Sequence, residues 1–285
     1  MATTEKYKVY FPELSKLPGI GGHYDIDFEK VYELDPDIFI IYGPHDPADE
    51  KYQKIIKMLE PRTKVLALGR SLSLREDLPK LGYLLDKEEE AAEFIDWYDG
   101  LMNTVKERVE EISEDDKPRV YHEYYRDYKT FTKNTIRHAD IVNAGGINIA
   151  ADLPGRYIEI DPEWLAVQKP DVIVRTVSSS ICGYDKDDPT AMKEIYESIM
   201  NRPELVNIPA VKNKRVYVCS LGLFESARNF IAIAYSVKWF HPKLFEDLNP
   251  KAIHQEWLTR FQGLDYDLDE HGVFVYHPEE HPDGK

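Results

Sequence analysis

The segment IDFEKVYELDPDIFIIYG, residues 26–43, decides the fold because a second copy recurs as IDPEWLAVQKPDVIVRTV at residues 160–177. The two copies align without a gap, at a constant offset of 134 (160 − 26). Identical residues stand at three corresponding pairs of positions, Ile26/Ile160, Asp27/Asp161 and Glu29/Glu163. The Pro-Asp pair and the apolar pattern after it are also retained. The chain therefore contains an internal duplication.

Each copy predicts the same local structure. Asp27 or Asp161 is expected to cap a short helix, with a glutamate in the first turn where the helix dipole favours it. The Pro-Asp pair ends that helix, and the β-branched run DIFIIY or DVIVRT is typical of a central parallel strand. A further helix (ADEKYQKIIKMLE or AMKEIYESIMN) and strand (TKVLAL or KRVYVCS) follow. Alternating strands and helices predict an α/β protein with two Rossmann-like lobes and parallel-type sheets.

One long helix is predicted between the lobes. In DKEEEAAEFIDWYDGLMNTVKERVEEISEDD, apolar residues from Phe94 to Ile112 recur at steps of three and four, which predicts about 28 helical residues. We interpret this helix as a rigid strut. The expected domains are an N-terminal lobe at 1–85, the linker helix at 86–115, and a C-terminal lobe with a helical extension at 116–285.

The duplication also exposes a difference between the lobes. The second lobe opens with the strand RVYHEYY from Arg119 and a helix near RHADIVNAGG, and the same offset places their counterparts before residue 1. We expect the N-terminal lobe to lack its first strand–helix unit, through truncation or because this copy never had one. An exposed strand edge favours pairing between chains, so a homodimer through this lobe is one hypothesis.

Composition narrows the classes of function. The 285 residues carry a formal net charge of −16, which disfavours nucleic acid as a partner. Two cysteines without a CxxC pattern argue against a disulfide framework, a zinc site and a redox site. No apolar run is long enough for a membrane span, and MATTEKYKVY is unlike a signal peptide. The native protein is then cytoplasmic, or this chain lacks its leader.

The quoted segments together resemble a known family. LPGIGGHYDIDFEKVYELDPDIFIIYG, the linker helix, AGGINIAAD, IDPEWLAVQKPDVIV, IPAVKNKRVYV and SVKWFHPKLFEDLNP are similar, in order and spacing, to the helical-hinge (class III) periplasmic substrate-binding proteins of ABC importers. The resemblance is to the iron-siderophore, haem and cobalamin type. It implies an extracytoplasmic protein that binds an iron chelate, haem or corrinoid without a covalent cofactor and delivers it to a permease. It also implies docking to the permease through acids such as Glu50 and Glu194.

Candidate ligand residues follow from the strand ends, because open parallel sheets bind ligands beyond their carboxyl ends. We expect a cleft between the lobes, lined by side chains from these strand ends and from the loops that enter the duplicated helices. Tyrosines suit flat rings and arginines suit carboxylates or phosphates, which favours a bulky, partly anionic chelate over a bare metal ion. The predicted ligand residues are His23, Tyr24, Tyr42, His45, Arg70, Tyr125, Arg156, Tyr157, Arg175, Glu225 and Arg228.

Several alternatives stay open from the residues alone. The alternative to ligand binding is a place in the core for Tyr42 and an ion pair within its own lobe for Arg175. The alternative to permease docking, for the acids at helix starts, is ordinary helix capping. Since GxxxxGK[ST], GxGxxG, HExxH and GxSxG are all absent, no catalytic residue and no enzyme activity is predicted. The alternative function is a cytosolic metallochaperone or chelatase-like enzyme on the same architecture. A partner-binding protein with an empty cleft is a third hypothesis.

Overall fold

A computed structural model describes residues 16–22, 25–42, 48–60, 62–68, 74–224 and 228–279. The chain divides into two compact units, Met1–Ile95 and Asp96–Lys285. The boundary lies within a helix, so that helix contributes residues to both units.

The first unit is built on a parallel pair of strands. Its elements are β1 (Gly21–Gly22), β2 (Asp25–Ile26), α1 (Phe28–Leu34), β3 (Ile38–Tyr42), α2 (Glu50–Leu59), β4 (Lys64–Leu68) and α3 (Leu74–Leu85). β1 and β2 pair antiparallel, and β3 pairs with β4 in parallel, with Ile38 opposite Lys64. One face of β3 is buried through Phe39 and Ile41, which pack with Val31, Ile55 and Leu59 from the two helices.

A long helix, α4 (Glu88–Glu110), follows α3. It has 23 residues rather than the roughly 28 that the apolar pattern predicts. Asp86, in a left-handed conformation at φ 53°, ends α3 and fixes the start of α4. At the other end the helix stops at Glu110, before a short 3₁₀ turn at Glu114–Asp116, although Ile112 continues the apolar spacing. Trp97 on α4 packs edge-on against Phe230, at 5.3 Å between ring centroids.

The second unit contains a five-stranded sheet. Its elements are β5 (Arg119–Tyr124), β6 (Lys129–Phe131), α5 (Ile136–Asn143), β7 (Ile147–Asn148), β8 (Tyr157–Glu159), α6 (Pro162–Gln168), β9 (Val172–Val177), α7 (Thr190–Met200), α8 (Pro209–Lys212), β10 (Val216–Ser220), α9 (Asn229–Phe240), α10 (Pro250–Glu256) and β11 (Val275–Tyr276). The sheet order is β11-β10-β9-β5-β7, parallel except for β11 at one edge. β6 and β8 form a separate antiparallel pair. This unit therefore has the mainly parallel α/β architecture that the sequence predicts.

The predicted duplication is confirmed at the level of backbone geometry. The Asp27 carboxylate caps α1 by accepting from the Lys30 N–H, and the Asp161 carboxylate caps α6 by accepting from the N–H groups of Glu163 and Trp164. Both helices end on a left-handed residue at the equivalent position, Asp35 at φ 40° and Lys169 at φ 49°. The strands β3 and β9 then begin at equivalent positions.

Helix α9 occupies the interior of the second unit, and ten of its twelve residues are buried. Gly146, which follows α5, packs closely against the end of α9, because a Cβ added to Gly146 would lie 2.8 Å from Phe240 Cε2. The same Cβ would lie 2.8 Å from Val120 Cγ2 on β5. On the other side of the sheet, α6 and α7 cover Tyr121 and Ile173. Within the described part of the chain, no helix is both long and apolar enough to cross a membrane.

Candidate functional site

The candidate site lies where β5 ends. Tyr124 is the last residue of the strand, and Tyr125 has a left-handed backbone at φ 45°. The Arg126 N–H donates to the Tyr124 carbonyl at 2.7 Å, closing a tight three-residue turn around Tyr125. The Tyr125 N–H donates to the Thr176 carbonyl of β9 at 3.0 Å. The turn is therefore anchored at the carboxyl end of the sheet, where open parallel sheets bind ligands.

Three tyrosine rings meet at this turn, and we call Tyr124, Tyr125 and Tyr157 the tyrosine platform. Between ring centroids, Tyr124 lies 4.8 Å from Tyr125 and 5.1 Å from Tyr157. The first contact is edge-to-face, and in the second the ring planes are tilted by 31°. Tyr157 reaches this position because β8 pairs with β6, which places it opposite Phe131. The Tyr157 side chain is 43% exposed. The platform thus offers aromatic surface to solvent at the strand end.

Two cationic side chains contact Tyr125 of the platform, and a third, that of Arg156, belongs to the residue before Tyr157. Lys129 Nζ donates to the Tyr125 hydroxyl at 2.7 Å and lies 4.5 Å from the Tyr125 ring centroid. Because this hydrogen bond and the lysine charge favour the phenolate, the pKa of Tyr125 is lowered from its ordinary value. The Arg126 guanidinium lies 5.4 Å from the same ring, and Arg156 Nε donates to the Asn134 carbonyl at 3.2 Å. The arrangement is suited to a ligand with flat rings and negative charge.

A charge network, buried at Glu123, Arg175 and Arg202, adjoins the turn that carries the platform. Glu123, which is fully buried, accepts from Arg175 Nη1 at 2.5 Å and from both terminal nitrogens of Arg202, at 2.7 and 3.1 Å. It also accepts from the Tyr128 N–H at 2.8 Å. Asp127 contacts the same two guanidinium groups at 3.0 and 3.1 Å. We call Glu123, Asp127, Arg175 and Arg202 the carboxylate–guanidinium network; its formal charges balance.

On the opposite face of β5, His122 is 2% exposed and packs between Phe131 and Phe224, at 4.9 and 5.3 Å between ring centroids. Burial, reinforced by the charges of Arg137 and Arg175, lowers the pKa of His122 to about 3. Among the described residues, its Nε2 meets no hydrogen-bond partner. His122 is therefore a neutral histidine of the core, as its position inside a strand suggests.

The structure places some predicted ligand residues together and others apart. Tyr125 and Tyr157 both contact Tyr124 at the end of β5, and Arg156, next to Tyr157 in the chain, donates to the Asn134 carbonyl. Arg175 is 6% exposed and pairs with Glu123 and Asp127, which is the alternative of an ion pair within its own lobe. Arg228 directly precedes α9. Tyr42 is the last residue of β3. Five candidates lie outside the described residues, namely His23, Tyr24, His45, Arg70 and Glu225.

The two predicted docking acids both lie on helices. Glu50 is the first residue of α2 and is exposed, next to Asp49, whose carboxylate caps the helix by accepting from the Tyr52 N–H at 2.9 Å. Glu194 is exposed within the first half of α7. Capping is therefore done by Asp49, which leaves the Glu50 side chain on the surface.

Sequence reasoning did not single out Tyr124, Lys129 or Arg126. In a strand, neighbouring side chains point to opposite faces of the sheet, but this alternation ends at Tyr124, because the chain turns at Tyr125. The aromatic and basic residues of YYRDYK are the signal that was available in the sequence. For a bare metal ion, the residues that the structure describes contain no group of three or more His, Cys, Asp or Glu side chains able to hold one.

Comparison with known proteins identifies the family. A family model described as "Periplasmic binding protein" matches residues 2–220 of the chain. The chain belongs to the periplasmic binding protein family. Its members are the substrate-binding components of ABC importers, are extracytoplasmic, and are solute-binding transport proteins. No curated protein matches the sequence.

Solved structures of this family share the fold. The TroA-like periplasmic binding protein FepB from Veillonella parvula is 27% identical, with a TM-score of 0.81 over 95% of this chain and 81% of that one. The Haemophilus influenzae protein MolA, bound to molybdate, is 16% identical, with a TM-score of 0.66 over 92% and 83% of the two chains. The haem-binding protein BhuT, in complex with two haems, is 18% identical, with a TM-score of 0.63 over 86% and 89%. The similarity to MolA and BhuT shows the fold alone.

Proposed function

We propose that this periplasmic binding protein captures a metal chelate, either a ferric siderophore, haem or a corrinoid, and delivers it to an ABC importer outside the cytoplasmic membrane. The observation that carries the proposal is the tyrosine platform with its neighbouring cations. The Tyr124 ring centroid lies 4.8 Å from that of Tyr125 and 5.1 Å from that of Tyr157. Lys129 and Arg126 flank the Tyr125 ring.

The chemistry of the platform favours a chelate over a bare ion. Aromatic faces contribute binding energy through contact with flat, polarisable surface, which a hydrated metal ion or a small oxyanion lacks. Lys129, Arg126 and Arg156 complement carboxylate, catecholate or phosphate groups, since cations bind such oxygens by charge-assisted hydrogen bonds. A ligand with both features is a partly anionic chelate with ring systems.

Delivery requires a second surface, and we propose that it includes Glu50 and Glu194. Each carboxylate is exposed on a helix whose capping does not depend on it. Exposed carboxylates on the two units suit arginines on a permease, as the family resemblance implies. We expect Glu50→Gln and Glu194→Gln to reduce uptake of the bound ligand in a reconstituted importer while leaving ligand affinity unchanged. Loss of affinity in either variant would contradict a docking role.

The decisive experiment is a binding screen against haemin, cyanocobalamin, a ferric tris-catecholate and a ferric hydroxamate, with Ni²⁺, Zn²⁺ and molybdate alongside. Ligand at 100 times its dissociation constant should stabilise the protein by about 2.7 kcal/mol, which raises the melting temperature measurably. We expect at least one chelate to bind at sub-micromolar affinity. Binding of a bare ion without any chelate would show that the chelate proposal is wrong.

Matched variants connect binding to the platform. Tyr124→Ala and Tyr157→Ala should each weaken chelate binding about fivefold to tenfold, since one aromatic contact contributes about 0.5–1.5 kcal/mol beyond the area that it buries. Tyr83→Ala is the control, because Tyr83 on α3 is also an exposed tyrosine, 74% accessible, and lies outside the platform. Equal losses in all three variants would disconnect the platform from the ligand.

A further inference from the structure

The carboxylate–guanidinium network has a role that its burial alone does not explain. It adjoins the loop that follows β5, and Glu123 and Arg175 are direct neighbours across the β5–β9 pairing. A buried ion network of this kind is weak evidence for stability, because desolvation offsets much of the attraction. Its contacts with the loop at residues 125–128 indicate what it does instead.

The loop has a backbone that needs external support. Tyr125 at φ 45° and Tyr128 at φ 57° are both left-handed, which is uncommon for residues with a side chain and is sterically disfavoured for bulky ones. Residues held in this way persist only where the surroundings determine them. Glu123 supplies one constraint by accepting from the Tyr128 N–H at 2.8 Å, and Asp127 supplies another through its contacts with Arg175 and Arg202.

The same network also reaches the second wall of the platform. Tyr128, fixed by Glu123, accepts through its carbonyl from the Ile160 N–H at 2.9 Å. Ile160 directly follows β8, the strand that carries Tyr157. The Tyr128 hydroxyl donates to Glu204, and the Arg202 guanidinium lies 4.7 Å from the Tyr128 ring centroid. One buried carboxylate is thereby connected to the turn that holds Tyr125 and to the strand that holds Tyr157.

We propose that Glu123, Asp127, Arg175 and Arg202 are positioning residues, which fix the tyrosine platform in its ligand-binding arrangement before the ligand arrives. The effect on ligand affinity rests on the proposed function, whereas the contacts that hold the platform in place do not. Preorganisation of this kind increases affinity by reducing the loss of conformational freedom on binding. In this arrangement Arg175 acts on the ligand through the platform rather than by touching it.

The test uses Asp127→Asn in the full chain, because Asp127 is half-exposed at 60% and its replacement leaves the buried Glu123 pairs in place. Asp171→Asn is the matched control. Asp171 accepts from the Arg119 backbone N–H at 2.9 Å, makes no contact with the loop at residues 125–128 among the hydrogen bonds described, and lies at the opposite end of the same pair of strands. Both are single aspartate-to-asparagine changes just outside the ends of the β5–β9 pair.

The first measurement is amide hydrogen exchange in the ligand-free protein. We expect Asp127→Asn to accelerate exchange about tenfold in peptides that cover residues 124–131 and 157–160, and Asp171→Asn to leave both segments unchanged. Unchanged exchange in Asp127→Asn, or equal acceleration in the control, overturns the proposal. This outcome is independent of whether any chelate binds, so it separates the positioning role from the proposed function.

The second measurement is affinity for haemin and for a ferric tris-catecholate, in a double-mutant cycle with Tyr125→Ala. We expect Asp127→Asn to weaken binding about tenfold in the unmodified background and to have little further effect once Tyr125 is removed, since the two residues act on the same contact. Additive losses would show that Asp127 acts on the ligand independently of the platform, contrary to the proposal. If neither chelate binds the unmodified protein, the cycle is run with the chelate that the binding screen identifies. If that screen identifies no chelate, the proposed function fails and the exchange result still decides the positioning role.

Discussion

Replacing Glu123 by glutamine is expected to destabilise the second unit strongly. The Glu123 carboxylate is fully buried and accepts from both guanidinium groups and from the Tyr128 N–H. Glutamine keeps one acceptor oxygen but points an amide N–H₂ group at a guanidinium, and it leaves two buried arginines with only Asp127 to compensate them. Breaking a buried ion network by removing one partner costs about 3–5 kcal/mol. A loss of this size is a large fraction of the roughly 5–15 kcal/mol that stabilises an ordinary domain.

The protein itself provides a suitable assay. All four tryptophans, Trp97, Trp164, Trp239 and Trp257, belong to the second unit, so tryptophan fluorescence during urea unfolding reports on that unit. Glu163→Gln is the control, because Glu163 is an exposed glutamate in the first turn of α6, where a change costs about 0.5 kcal/mol or less. A loss below about 1 kcal/mol for Glu123→Gln would refute the inference that the network carries uncompensated charge once it is broken.

Three further predictions follow from the core and the helix caps. Asp161→Ala and Asp27→Ala should each lower the free energy of unfolding by about 1 kcal/mol, because each removes a helix cap. Only Asp161→Ala should shift the unfolding transition detected by tryptophan fluorescence, since all four tryptophans belong to the second unit. An equal shift from Asp27→Ala would contradict independent unfolding of the two units. The pKa of His122 is about 3 in the folded protein, whereas in the unfolded chain it has its ordinary value near 6.5. Between these two values only the unfolded chain takes up the proton. The stability that a neutral His122 contributes is therefore present above pH 6.5 and falls as the pH is lowered towards 3. His122→Phe should therefore reduce the loss of unfolding free energy between pH 7 and 4.5, and an unchanged loss would count against a neutral His122. Gly146→Ala should cost about 1–3 kcal/mol in urea unfolding because its Cβ would meet Phe240 Cε2 at 2.8 Å, whereas an unchanged midpoint would show that the site relaxes freely.

Much of the fold could be predicted from one local pattern. The capping aspartates, the left-handed helix ends and the strand starts of the two copies fall at equivalent positions, because each depends on neighbours within a few residues. The C-terminal end of α4 could not be predicted in the same way. Ile112 keeps the apolar spacing beyond Glu110, and the spacing alone carries no signal for where the backbone leaves the helix.

The candidate site was predictable in location but only partly in detail. Strand ends and aromatic residues pointed to Tyr125 and Tyr157. The partner of Arg175, however, depends on the register of β5 against β9, which pairs it with Glu123 from 52 positions away. Such a register is a tertiary property, and no spacing within the sequence encodes it.

The antiparallel edge strand β11 gives the second unit a late step in its assembly. Ser220 ends β10, yet Phe274, whose carbonyl accepts from the Ser220 N–H at 2.7 Å, comes 54 positions later (274 − 220). During synthesis the core strands and α9 are complete long before the residues that cover the β10 edge emerge. Until then that edge presents unpaired backbone groups to solvent. The sheet is thus closed by a segment made well after β10, so the second unit reaches its final pairing only once that segment has emerged.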